Sequence, residues 1–183
     1  ANAALDISGS TLSGTNDLET VTVSGSSSVD LGNLATNGDD ALNSFDASAN
    51  TGGVTATVDA QSGNLGNISE YLFSDGGADD VTLATTTVDT AITLGDGNDT
   101  IILADGTSLG ATIDAGAGAA DTVSMTATDA IAATQAFANN LVGFEVLNIN
   151  DNALGGTVSG AETLTVDLDA LGFNNVITSG TDN

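Results

Sequence analysis

The 183-residue chain contains no lysine, arginine, histidine, cysteine, proline or tryptophan. Each absence argues against a class of protein. Phosphate recognition needs cationic side chains, so neither nucleic acid nor an anionic lipid surface is an expected partner. Without cysteine there is no disulfide framework, and the folded chain must be held by packing or by metal. Without cysteine or histidine, zinc lacks its usual ligands. Without proline, the commonest breaker of helices and strands is missing. Aromatics are scarce, with five phenylalanines and one tyrosine. A thick globular core usually draws on more of them, whereas small aliphatics suit the thin core of a solenoid. No apolar run approaches the length of about 18 residues that spans a bilayer. No basic leader of the secretory kind heads the chain.

What is present is acid: 25 aspartates and glutamates and a formal charge of −25. A hydrophobic content of 40% makes the chain too apolar for an acidic disordered tail. Two carboxylates about 5 Å apart repel by roughly 0.8 kcal/mol even at the dielectric of water. A few such pairs would consume much of a folding stability of about 5–15 kcal/mol. The charges must therefore be spread over solvent or neutralised from outside, and divalent cations do this most simply.

The repeats show where. "DGGADDVTL" (75–83), "GDGNDTIIL" (95–103) and "GAGAADTVSM" (116–125) each read as a glycine turn, an aspartate, then alternating aliphatics. Asp79, Asp99 and Asp121 recur at intervals of 20 and 22 residues, with the strand-like runs "TVDTAITL" and "LGATIDA" between them. Strand, turn, strand, turn in a lap near 20 residues is the signature of a parallel solenoid. A second repeat, x-Glu-x-apolar-x-apolar, covers "LETVTV", "SEYLFS", "FEVLNI" and "AETLTV" and holds every glutamate: Glu19, Glu70, Glu145 and Glu162. Those glutamates read either as strand-start residues facing water or as metal or partner contacts. "DAIAATQAFANNLVG" (129–143) reads as a helix with an acidic N-cap and a terminal glycine, in which Ile131, Phe137 and Leu141 share a face.

The expected fold is all-β. It is a right-handed parallel β-solenoid with about 20 residues per coil and one short helix near 129–142. No composition shift marks a boundary, so residues 1–183 read as a single elongated segment. A start at Ala1 suggests a piece of a longer chain.

Equivalent turns of a solenoid stack about 4.8 Å apart, so like-placed aspartates line up. Glycine lets the backbone turn its carbonyl oxygens inward. Carboxylate and carbonyl oxygens are the ligand set of calcium, which takes six to eight of them. The candidate metal residues are Asp75, Gly77, Asp79, Asp80, Gly95, Asp96, Gly97, Asp99, Asp114, Gly116, Gly118 and Asp121.

These turns resemble the repeats-in-toxin (RTX) nonapeptide, Gly-Gly-x-Gly-x-Asp-x-apolar-x. "LGDGNDTII" matches at Gly95, Gly97, Asp99 and Ile101, with Leu94 at the first glycine. "SDGGADDVT" matches at Gly77, Asp79 and Val81, with Ser74 and Asp75 replacing the leading glycines. In "AGAGAADTV" one extra residue delays the acid to Asp121. The Thr/Ala/Gly/Ser-rich texture, with "GFEVLNI" and "LNSFDASANTG", is similar to bacterial surface-layer (S-layer) proteins of the Caulobacter type. That resemblance implies type I secretion, calcium-dependent folding at the bacterial cell surface, and self-association into a lattice or filament. It also implies glycan anchoring through parts outside this chain.

The expected function is thus that of an extracellular, calcium-stabilised structural protein, not an enzyme. An RTX-type adhesin, or an ice- or ligand-binding module using threonine ladders such as "TATV" and "ATTTV", is the alternative. Lyase chemistry lacks its Lys or Arg, and a nucleophilic triad lacks His, Lys or Cys. No carboxylate pair stands out from the turn pattern for hydrolysis.

Overall fold

The alternation in "VTATV" (Val54–Val58) shows how the chain folds. Val54, Ala56 and Val58 are buried while Thr55 is exposed and Thr57 half-buried. A period of two places one side of a strand in the core. In the computed structural model, residues 5–6, 20–34, 43–60, 68–150, 168–173 and 175–179 are described.

The first laps contain β1 (Leu5–Asp6), β2 (Thr20–Gly25), β3 (Val29–Asn33), β4 (Ser44–Asn50) and β5 (Val54–Val58). The central laps follow with β6 (Glu70–Leu72), β7 (Asp80–Leu83), β8 (Thr87–Val88), β9 (Ala91–Thr93), β10 (Thr100–Ile102) and β11 (Ser108–Leu109). Next come β12 (Ile113–Asp114), β13 (Thr122–Met125), α1 (Ala127–Ala132), α2 (Gln135–Ala138), β14 (Leu141–Val142) and β15 (Val146–Asn150). The described chain closes with α3 (Leu168–Leu171) and β16 (Asn175–Ser179).

Among the described residues all strand pairings are parallel. One sheet runs β1-β3-β5-β7-β10-β13-β15-β16, a second runs β14-β12-β9-β6-β4-β2, and β8 pairs with β11 on a third face. The chain is a parallel β-solenoid of about five turns. Its core is a set of stacked columns. Val81, Ile101, Val123 and Leu147 stack in the eight-stranded sheet, and Phe45, Tyr71, Ile92 and Ile113 in the six-stranded one. All eight are essentially inaccessible. Each such side chain contributes roughly 1.5–3 kcal/mol by leaving water. Three aromatics cluster across two adjacent laps, with Phe45 packed at ring-centroid distances of 5.6 Å from Tyr71 and 4.9 Å from Phe73.

The lap length is less uniform than the central repeats suggest. Val54, Asp79, Asp99, Asp121 and Glu145 occupy equivalent rungs separated by 25, 20, 22 and 24 residues. The short laps begin at Asp79 and Asp99, and the register of the early strands is interrupted between Asp30 and Gly32 and between Thr22 and Ser24.

The single helix expected over 129–142 is instead two helices and a strand. Ala133 and Thr134 are extended, with ψ of 135° and 166°, and separate α1 from α2. Thr134 Oγ1 accepts a hydrogen bond from Phe137 N at 3.3 Å, so it starts a new helix rather than continuing the old one. The sheet claims the end of the segment, because Ile113 N donates to Asn140 O and Ala115 N to Val142 O. The first N-cap is Thr126, whose Oγ1 accepts from Asp129 N at 3.1 Å; Asp129 lies inside the first turn. Ile131 is 59% exposed and does not share the half-buried position of Phe137 and Leu141. These helices occupy the part of the lap in which the two preceding laps place β8 and β11.

The threonine ladders are short. Thr55 is followed in its column by Asp80 and then by Thr100 and Thr122, and Thr57 by Thr82 and then Ile102, so no column runs beyond two threonines in succession. In "ATTTV", Thr85 is buried while Thr86 is exposed.

Candidate functional site

The Gly-Asp turns enter the eight-stranded sheet through a shared pattern: acid, any residue, buried apolar, any residue, buried apolar. Asp79 precedes Val81 and Leu83, Asp99 precedes Ile101 and Leu103, and Asp121 precedes Val123 and Met125. Strand parity therefore turns each aspartate inward with the aliphatics, and all three are at most 2% exposed.

Stacked, they form a ladder. Each carboxylate accepts a hydrogen bond from the main-chain N–H of the rung one lap earlier. Asp121 Oδ1 accepts from Asp99 N at 2.8 Å, Asp99 Oδ1 from Asp79 N at 2.8 Å, and Asp79 Oδ1 from Val54 N. Glu145 continues the series, its Oε2 accepting from Asp121 N at 3.0 Å.

The rungs are not equally satisfied. Asp79 also receives Ser74 N on Oδ2 and Ser74 Oγ on Oδ1, both at 2.8 Å. The second sheet pairs Leu72 with Thr93 and Thr93 with Asp114. Two residues on, the same register aligns Ser74 with Gly95 and Gly116. At those two rungs no main-chain N–H takes the place of Ser74 N, and Asp99 Oδ2 and Asp121 Oδ2 are buried with no hydrogen-bond partner. A buried acceptor without a donor costs about 1–3 kcal/mol, and more when charged.

The glycines are required by close approach. A Cβ on Gly116 would lie 2.0 Å from Gly95 O, and one on Gly95 would lie 1.9 Å from Ser74 O. Both have positive φ, at 97° for Gly95 and 82° for Gly116. A Cβ on Gly118 would meet three oxygens: Gly97 O at 2.2 Å and Asp121 Oδ2 and Oδ1 at 2.4 and 2.5 Å. At Gly97 the neighbours are Gly77 O at 2.4 Å and Asp99 Oδ1 at 2.7 Å. At Gly77 the nearest atoms are main-chain nitrogen and carbon of Gly52 and Gly53. Carboxylate and carbonyl oxygens thus crowd the turns at Asp99 and Asp121, but not the turn at Asp79.

The electrostatics follow the geometry. Burial raises the pKa of all three aspartates above the ordinary carboxylate value. Asp99 is pushed up to about 7 by burial foremost, against the hydrogen bond from Asp79 N, with the charges of Asp79, Asp121 and Asp96 adding to the rise. Asp121 is raised by burial and then by the Glu145 carboxyl beside it. Two ionised carboxylates about 5 Å apart repel by roughly 3 kcal/mol at an effective dielectric of 20. The row needs either protons or an external cation.

The other candidate residues lie apart from the row. Asp75 and Asp96 sit on the exposed side of the turns, where Asp96 bridges Ala117. Asp80 points outward from β7. Asp114 lies half-buried on the six-stranded sheet, where Oδ1 accepts from Gly116 N at 2.9 Å. Among the described residues, no three acidic side chains converge on one point. A cation here would be held by one or two carboxylates and main-chain carbonyl oxygens, a donor set that suits calcium.

The repeated glutamates do not form one class. Glu70 opens β6 on the six-stranded sheet and accepts from Thr93 Oγ1 at 2.7 Å, whereas Glu145 precedes β15 and is a rung of the ladder. Glu19 and Glu162 lie outside the described residues. The parity of the buried residues separates Glu145 from Glu70. Glu145 stands two residues before the buried Leu147, as the aspartates do before their aliphatics, while Glu70 directly precedes the buried Tyr71.

No family model matches the chain, and no match is found among curated proteins or solved structures.

Proposed function

We propose that this chain is a calcium-stabilised structural solenoid, secreted to a bacterial cell surface and self-associating there into a layer or filament. The observation that carries the calcium reading is the pair of buried, donorless carboxylate oxygens on Asp99 and Asp121, in a chain with no Lys, Arg or His. Gly77 O, Gly97 O and the two carboxylates would hold the ion; when bound, it supplies the positive charge that the side chains lack. The acidic residues themselves align the laps through the ladder. The extracellular and self-associating parts of the proposal rest on the resemblance of the turns and texture to RTX-like surface-layer proteins. Millimolar calcium outside a cell suits sites with dissociation constants of about 10⁻⁴–10⁻³ M. Binding to the folded state alone then shifts the folding equilibrium.

The test is thermal unfolding followed by circular dichroism, together with light scattering, in millimolar calcium and in chelator. Calcium should raise the midpoint and promote association, both reversed by chelator. An unfolding curve and particle size indifferent to calcium would overturn the proposal.

A further inference from the structure

At Glu145 the ladder changes residue type. Asp79, Asp99 and Asp121 each bond one lap back with the short aspartate side chain, and the fourth rung does so with a glutamate. The lap before it is also longer, at 24 residues. The strand register is kept, and Glu145 N joins Val146 N in donating to Asp121 O, at 3.1 and 2.9 Å. Two acidic groups therefore abut, with Asp121 wholly buried and Glu145 half-buried. Asp121 Oδ2 is inaccessible and without a donor, and both it and Gly97 O approach Gly118 closely.

We infer that Glu145 is a direct cation ligand, closing a divalent-cation site with Asp121 and the Gly97 carbonyl oxygen at the C-terminal end of the row. The inference rests on the calcium reading above and adds a residue to it. One oxygen of Glu145 is committed to Asp121 N, which fixes the side chain beside Asp121. The partial exposure of Glu145 gives the ion a route from solvent, which the fully buried Asp79 and Asp99 do not offer. Two anionic groups at one site raise affinity for a divalent ion over a site with one. Burial and the neighbouring charge both disfavour an ionised Asp121 without a counter-ion, in keeping with the direction of its pKa.

The experiment is calorimetric titration of the full chain with calcium alone, comparing wild type, Glu145→Gln and Asp99→Asn. The glutamine retains a carbonyl oxygen for Asp121 N, so the ladder hydrogen bond is kept, and circular dichroism checks the fold. Glu145→Gln should bind one equivalent fewer than wild type, or bind its last equivalent about tenfold more weakly. Glu145→Asp, which keeps the charge but shortens the reach, should show the same loss. If Glu145→Gln matches wild type while Asp99→Asn binds less, Glu145 is not a ligand, the inference is overturned and the calcium reading stands. If wild type binds no calcium, both fall.

Discussion

At the scale of single residues, Ser74 divides the turns into two kinds. Ser74 stands where Gly95 and Gly116 stand in the next two laps, and its N–H and Oγ complete the carboxylate of Asp79. In the sequence this serine looks like a departure from the Gly-Gly-x-Gly-x-Asp pattern. In the structure it is a donor that satisfies the buried carboxylate at that rung. Ser74→Ala should destabilise the chain by about 1 kcal/mol in chelator, the net worth of one lost hydrogen bond, since main-chain N–H groups still meet both Asp79 oxygens. Calcium should restore more stability to this variant than it adds to wild type, because Asp79 Oδ1 loses its second donor and regains accepting capacity for an ion. Denaturant unfolding with and without calcium measures both terms. Equal calcium increments in the two proteins would show that the hydroxyl does not stand in for the ion.

At the scale of elements, the row of rungs behaves as one titrating unit. The folded pKa values of Asp79, Asp99 and Asp121 lie above the unfolded value near 3.8, with Asp99 at about 7. Between those values the folded state holds protons that the unfolded state has released. Stability of the cation-free chain is therefore highest below about pH 4 as far as these groups are concerned, and it falls as pH rises through 7. Chemical unfolding in chelator at pH 5 and pH 8 should show the lower stability at pH 8, and calcium should reduce the difference. A cation-free chain more stable at pH 8 would contradict the buried-row description. The parallel laps, the turns and the inward aliphatics were legible in the sequence, because period-two alternation and the recurring Gly-Asp pairs report strand parity and turn position directly. The break at Thr134 was not legible. It arises because β12 and the residue after it draw Asn140 and Val142 into the sheet, a demand set one lap away that helix propensity does not record. The assignment of "SEYLFS" and "FEVLNI" to different sheets was hidden for a related reason: equal strings can enter a lap at different corners, and only the parity of the buried residues distinguishes them.

At the scale of the molecule, a carboxylate row is stacked along a narrow aliphatic core, and the proposal is that metal bound there is coupled to folding. The columns from Phe45 to Ile113 and from Val81 to Leu147 supply the hydrophobic drive, while the ladder sets the register between laps. A chain with 25 acids and no base cannot neutralise that row itself. The most direct test is crystallographic: anomalous scattering from crystals grown in calcium, located against the ladder. Metal peaks should lie beside Asp99 Oδ2 and Asp121 Oδ2, within bonding distance of glycine carbonyl oxygens, with none beside the serine-completed Asp79. A map with no metal in these turns, and water or a shared proton meeting both oxygens, would contradict the account.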